Sequence, residues 1–336
     1  MQLMRWCGVA LFALFAVSSY GGETEIRAAI KAEVTEAFAK RDFASIEARY
    51  AKALSTSERT PSGWMVASLI RRAVVPDAPS NPQDPGNDKH WDAVDRSIAI
   101  WARQFPESSL PAIAQSRSFQ EHAWSWRGTG YGRTVTAEGW KKVHDYTQRS
   151  LDALMAREAQ GRRDPYWYVE MINLARLQGW PADRFLALVQ QATQAFPLSE
   201  PIYLSASFST VPRWGGSLEA VAQFADYAVR QTRKSSGESM YALIYWYVAD
   251  MLDTEFSSPE INWRRVRIGF DDLVKRYPDP WNMNHYAKFA CQAHDYATAA
   301  RVLARIGDNI DQETWGERAN YIRCKQLAAS SREGAK

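Results

Sequence analysis

Two short segments carry the residue types most able to bind something. Trp124 to Arg133 reads Trp-Ser-Trp-Arg-Gly-Thr-Gly-Tyr-Gly-Arg, and Pro212 to Ser217 reads Pro-Arg-Trp-Gly-Gly-Ser. Their glycines permit positive φ and close backbone approach. Guanidinium and indole groups together bind anions or stack on planar rings and sugars. Trp124, Arg127, Arg133, Arg213 and Trp214 are therefore the candidate binding residues. The Gly-x-Gly-x-Gly spacing follows no strand, so it does not make a dinucleotide fingerprint. Each segment also has a plain structural reading: a turn between helices, with tryptophans packed inward and arginines paired with neighbouring acids.

Signals for metal and acid–base chemistry are poor. The histidines are His90, His122, His144, His285 and His294. They show no HExxH-type spacing and no pair four apart on a helix. No metal and no cofactor is expected. His122 beside Glu121 and His144 beside Asp145 can converge, because their helices flank the glycine segment. Glu170, within Tyr-Trp-Tyr-Val-Glu-Met, is an acid in aromatic surroundings of the kind that raise a carboxyl pKa. It has no identified partner carboxylate, which leaves glycosidase chemistry unsupported. Gly-x-Ser-x-Gly, Ser-x-x-Lys and Walker-type motifs do not occur. Of three cysteines, Cys7 lies in a leader-like segment, which leaves the even pair Cys291 and Cys324. They form either a disulfide tying the last helices together or two buried thiols.

The elements that must position these residues are helices. Trp140, Val143, Thr147, Leu151 and Leu154 advance by three or four and predict a helix over about Glu138–Ala159. Ile244, Tyr247, Val248, Met251 and Leu252 predict another from Glu238 to about Phe256. Asp164-Pro165, Ser258-Pro259 and Asp279-Pro280 read as helix starts, with a polar cap followed by proline in the first turn. Ser217 reads as the cap of a helix over Leu218–Thr232. Phe105-Pro106, Phe196-Pro197 and Tyr277-Pro278 each end a helix, and Pro111, Pro201 and Pro280 each begin the next, as in an array of helical hairpins. Two windows, Val34 to Tyr50 and Ala287 to Ile306, resemble tetratricopeptide units, with small residues on the facing helices and Asp42-Phe43 or Asp295-Tyr296 at the turn.

The chain has 336 residues, 14 Trp, 15 Tyr, 13 Phe and a formal charge of +3. Such aromatic content excludes a disordered chain. The small charge, with Arg264, Arg265 and Arg267 as its one basic cluster, makes no electrostatic case for nucleic acid. Residues 1–21 read as a secretory signal peptide: Arg5, an apolar run over Val9–Val17, then Ser18, Ser19, Gly21 and Gly22. That places the mature chain in the periplasm or outside the cell, with no membrane span after cleavage. Residues 22–328 read as one helical domain carrying a proline-rich loop at 76–88 (Pro76, Pro79, Pro82, Pro85), and 329–336 as a frayed tail.

Ala123-Trp124-x-x-Arg127-Gly128-x-Gly130, taken with Pro212–Ser217, resembles a family of bacterial proteins classed as a domain of unknown function. Arg41–Phe43 and Phe105–Ser108 fit the same pattern, and the resemblance covers most of the mature chain. It implies an exported or envelope-associated helical protein and brings no catalytic residues with it. The expectation is therefore an all-α chain of stacked antiparallel helix pairs, a tetratricopeptide-like α-solenoid. Its function is expected to be non-catalytic: a protein- or ligand-binding scaffold of the cell envelope, with a protein or peptide partner. The alternative is an all-α enzyme acting on cell-wall or other glycans.

Overall fold

The computed structural model describes residues 22–75, 86–128 and 132–333. Residues 1–21, expected to be a signal peptide, and the prolines of the expected loop lie outside the described residues. Seventeen α-helices follow one another among the described residues. They are α1 (Glu23–Ala39), α2 (Phe43–Ser55), α3 (Val66–Ala73), α4 (Gly86–Gln104), α5 (Leu110–Arg127), α6 (Ala137–Met155), the single turn α7 (Glu158–Gly161), α8 (Pro165–Leu177) and α9 (Ala182–Ala195). Then come α10 (Glu200–Ser207), α11 (Leu218–Ser236), α12 (Ser239–Val248), α13 (Trp263–Arg276), α14 (Pro280–Gln292), α15 (Tyr296–Ile306), the single turn α16 (Gln312–Trp315) and α17 (Arg318–Glu333). An isolated bridge between Arg59 and Met65 is the sole β-type pairing among the described residues.

Local chemistry sets the helix starts. Asp164 accepts from Tyr166 N, Asp279 from Trp281 N, Ser217 from Ala220 N and Asp295 from Thr298 N. Each such bond satisfies a backbone donor that the first turn leaves open. The three aromatic-proline pairs do end helices, at Gln104, Ala195 and Arg276. Ser258-Pro259 does not open one. The chain stays irregular to Asn262, whose side chain caps α13 by accepting from Arg265 N at 3.2 Å. The helix expected to reach Phe256 stops at Val248 with a 3₁₀ turn to Met251, and Asp253 has φ 54°. The helix expected to reach Ala159 stops at Met155. Helical structure resumes at Gly86, before the expected end of the loop at Asp88, and α17 runs on to Glu333 rather than fraying after Ala328.

The helices pack in adjacent pairs: α5 on α6, α8 on α9, α11 on α12, α12 on α13 and α14 on α15. Burial divides them into two sorts. In α8, ten of thirteen residues are buried, and in α10 and α12 the buried residues likewise reach round the helix. A helix apolar on all sides must be enclosed by others. The enclosed helices touch in sequence, α3 to α5, α5 to α8, α8 to α10 and α10 to α12, while α4, α6, α9, α11 and α13 cover them. Two large apolar clusters result, one from Ile30 to Ala206 and one from Tyr203 to Ala328, meeting at α10, and a small third joins Phe119, Ala123 and Tyr146.

The beginning of the described chain touches its final third. Asn282 Nδ2 donates to the Ser62 carbonyl at 2.9 Å. The Trp64 and Trp281 rings lie 6.4 Å apart, and the Arg27 guanidinium sits over both, at 4.7 and 4.1 Å. Gly63 has φ 94°, and a Cβ there would come within 2.6 Å of the Tyr277 ring. Glu23, buried, holds this loop to α1 by accepting from Thr60 Oγ1 at 2.8 Å and Ser62 N at 3.2 Å. Near the other end, Cys291 and Cys324 form a disulfide with Cα atoms 5.8 Å apart, joining α14 to α17.

Candidate functional site

The two glycine-bearing segments do meet. Trp124 lies in the last turn of α5, and Trp214 ends a 3₁₀ turn before α11. Their rings are 6.2 Å apart, edge to face. The Arg127 guanidinium lies 5.0 Å from one ring and 5.5 Å from the other. The glycines serve the backbone. Gly128 (φ 66°) closes α5 by donating to the Trp124 carbonyl at 2.9 Å. A Cβ on Gly216 would run into the Thr210 carbonyl, which accepts from Ser217 N. Arg213 precedes Trp214 on the same 3₁₀ turn. It is exposed and donates through Nη2 to Asp253 at 2.8 Å, a surface pair worth at most about 1 kcal/mol. Arg133 is exposed on the 3₁₀ turn Gly132–Thr134.

Behind the tryptophan pair lies a feature absent from the sequence reading. A cavity of about 250 Å³ opens between α3, α5, α8, α10 and α12, with Trp124 in its wall. Five arginines and three glutamates line it, among Trp64, Phe208, Tyr247 and Tyr277. The helices deliver these residues at regular spacing. On α5 the lining residues are Arg117, Gln120, Glu121 and Trp124, and on α8 they are Val169, Glu170, Asn173 and Arg176. Residues three and four apart share a helix face. The signal was therefore present in the sequence as a polar stripe, Glu170, Asn173 and Arg176, on an otherwise apolar helix.

The charges inside are unequally satisfied. Glu170 is buried and accepts from Arg71 Nη1 and from Gln120 Nε2 at 3.1 Å. This carboxylate is the counter-ion of a buried cation, and the general-acid role considered for it has to compete with that pairing. Arg117 reaches Glu121 at 2.8 Å, but its Nε has no acceptor, and burial lowers its pKa. Arg176 is the extreme case. Its guanidinium lies 4.8 Å from the Phe208 ring and 5.0 Å from Trp214, and it makes no hydrogen bond or ion pair among the described residues. Its Nε and Nη1 are shut off from solvent without an acceptor. Desolvation lowers its pKa to about 10, so it stays charged at neutral pH.

The histidines do not converge. His122 is buried between Trp91 (5.4 Å) and Tyr146 (3.7 Å), with Nε2 3.3 Å from Asp88 Oδ1 but outside hydrogen-bond geometry. Burial lowers its pKa to about 4. His144 is exposed on α6 beside Trp140. Of the basic cluster, Arg265 pairs with Asp226 and Glu238, and Arg267 approaches Asp295 at 3.9 Å. No described helix is long and apolar enough to cross a membrane, and no group of three or more His, Cys, Asp or Glu is placed to hold a metal ion among the described residues. Comparison with protein-family models gives no match to the chain, and comparison with curated proteins gives no significant one.

Proposed function

We propose that this chain is an exported, non-catalytic binding protein whose ligand is a small molecule held in the central cavity. The observation that carries the reading is the cavity itself: charged and aromatic side chains from five helices converge on one concave space. Small-molecule sites are concave, mostly apolar and furnished with a few fixed polar groups. A guanidinium left unpaired there costs stability, and a ligand is the natural thing to offset that cost. The helix pairs are read as a tetratricopeptide-like array curled until its first and last thirds touch, which favours an interior ligand over a partner lying along an open groove. Export rests on the leader-like residues 1–21, and the Cys291–Cys324 disulfide suits an oxidising compartment.

The test is a thermal-shift screen of the mature chain against small carboxylates, sugars and short peptides. Asn173, half-buried in the cavity wall, is replaced by tryptophan in a second sample to fill the space. Ligands that raise Tm in the wild type and not in Asn173→Trp support the reading. Ligands that act equally on both place binding on the outer surface, as a scaffold for proteins would have it, and overturn the cavity as the site.

A further inference from the structure

Resting on the cavity reading, we propose that the ligand is an organic acid: a carboxylate joined to an apolar body, its carboxylate taken by Arg176. Three observations converge on this. First, Arg176 has guanidinium nitrogens shut off from solvent and neither a carboxylate nor a hydrogen-bond partner among the described residues, whereas Arg71 holds Glu170, Arg117 holds Glu121, and Arg72, likewise without such a partner, is exposed to solvent. An unpaired buried cation is costly in a finished fold and sensible in a site awaiting its counter-ion. Second, the guanidinium lies within 5.0 Å of both the Phe208 and the Trp214 ring, cation–π contacts that hold the charge in place without taking up its N–H donors. Nη2 is the guanidinium nitrogen not shut off from solvent, and a carboxylate oxygen can accept from it in a charge-assisted hydrogen bond. Third, the remaining wall gives an apolar body somewhere to lie: Val169, Leu204, Leu243 and Leu273 face the same space.

Arg117 and Arg71 add to the preference for an anion. Each has a buried Nε without an acceptor, and the five lining arginines outnumber the three glutamates. Field lines from this excess are concentrated by the low-dielectric walls. The same walls argue against a bare inorganic ion, which would leave the apolar portion of the cavity without contacts.

The probe is 3-phenylpropionate, with its neutral amide 3-phenylpropionamide and inorganic phosphate as comparisons, in calorimetric titrations of the full mature chain at pH 7. Expected are saturable binding of the carboxylate, at least tenfold weaker binding of the amide, and loss of at least tenfold in affinity for the carboxylate in Arg176→Met. Arg176→Lys, which keeps the charge, is expected to recover part of that loss. Equal binding of carboxylate and amide, both abolished by Asn173→Trp, would overturn the role of Arg176 while leaving the cavity as the site. Carboxylate binding unchanged in Arg176→Met would do the same. Tight phosphate binding with no response to the carboxylate would overturn the organic-acid class. Absence of binding by all three would overturn both this inference and the cavity reading. Circular dichroism of each variant, matching the wild type, ensures that a loss of binding is a loss of the site.

Discussion

Replacing Arg176 by methionine should make the unliganded protein more stable, the reverse of what most substitutions in a packed wall do. The sign follows from the absence of any acceptor for this guanidinium. Desolvation brings its pKa from the usual arginine range down to about 10, and at about 1.4 kcal/mol per pKa unit the charged form is penalised by about 3 kcal/mol. Against this stand two cation–π contacts, to Phe208 and Trp214, worth about 0.5–1 kcal/mol each. Methionine keeps most of the apolar contact surface and fills irregular space well. The net expectation is a gain of about 1–2 kcal/mol, or roughly 2–6 °C in Tm for a chain of this size. Urea unfolding followed by far-UV circular dichroism measures it, with Arg117→Met, which would break a pair with Glu121, as the contrasting variant that should lose stability. A clear destabilisation in Arg176→Met would show that the arginine is there for packing and that its missing counter-ion carries no cost.

Other expectations are as specific. Cys324→Ser should lower stability by about 3–4 kcal/mol, the chain-entropy value for a loop closed over 33 residues, and mass spectrometry of the non-reduced wild type should find no alkylatable thiol at Cys291. Burial holds His285 at a pKa of about 4, with Nδ1 near the Trp281 carbonyl at 2.9 Å. Because the unfolded chain takes up the proton near pH 6.5 and the folded one does not, stability is intact above that pH and falls on acidification towards pH 4, by up to about 3 kcal/mol. Tm measured from pH 7 to 4 should therefore fall more steeply for the wild type than for His285→Gln. Gly63→Ala should cost about 1–3 kcal/mol, from positive φ together with collision with Tyr277. Hydrogen exchange should show the loosening in residues 59–64 and 277–282 together, since these segments brace each other.

How much of this could be read in advance depended on distance along the chain. Helix starts at Asp164, Ser217 and Asp279 were legible because a cap acts on an N–H two or three residues away. Ser258-Pro259 carried the same signal and failed, because Asn262 offers a cap closer to the apolar run that begins at Val266. The meeting of Trp124 with Trp214 was suggested by matching residue types, but the orientation of Arg213 toward Asp253 was not, since it depends on a left-handed turn at Asp253. The cavity was illegible for a stronger reason. Arg71 and Glu170 are 99 residues apart, Tyr50 and Asp164 114, and Ser62 and Asn282 220. No local pattern encodes which helix faces which. The polar stripe on α8 announced only that something polar would have to be accommodated inside.

The most direct test is a crystal structure of the mature chain grown with 3-phenylpropionate. Ligand density inside the cavity, with a carboxylate oxygen about 3 Å from a guanidinium nitrogen of Arg176 and the ring against Leu204 and Leu243, is the predicted result. Density confined to the outer surface, with Arg176 unchanged and the cavity holding no ligand, would contradict it.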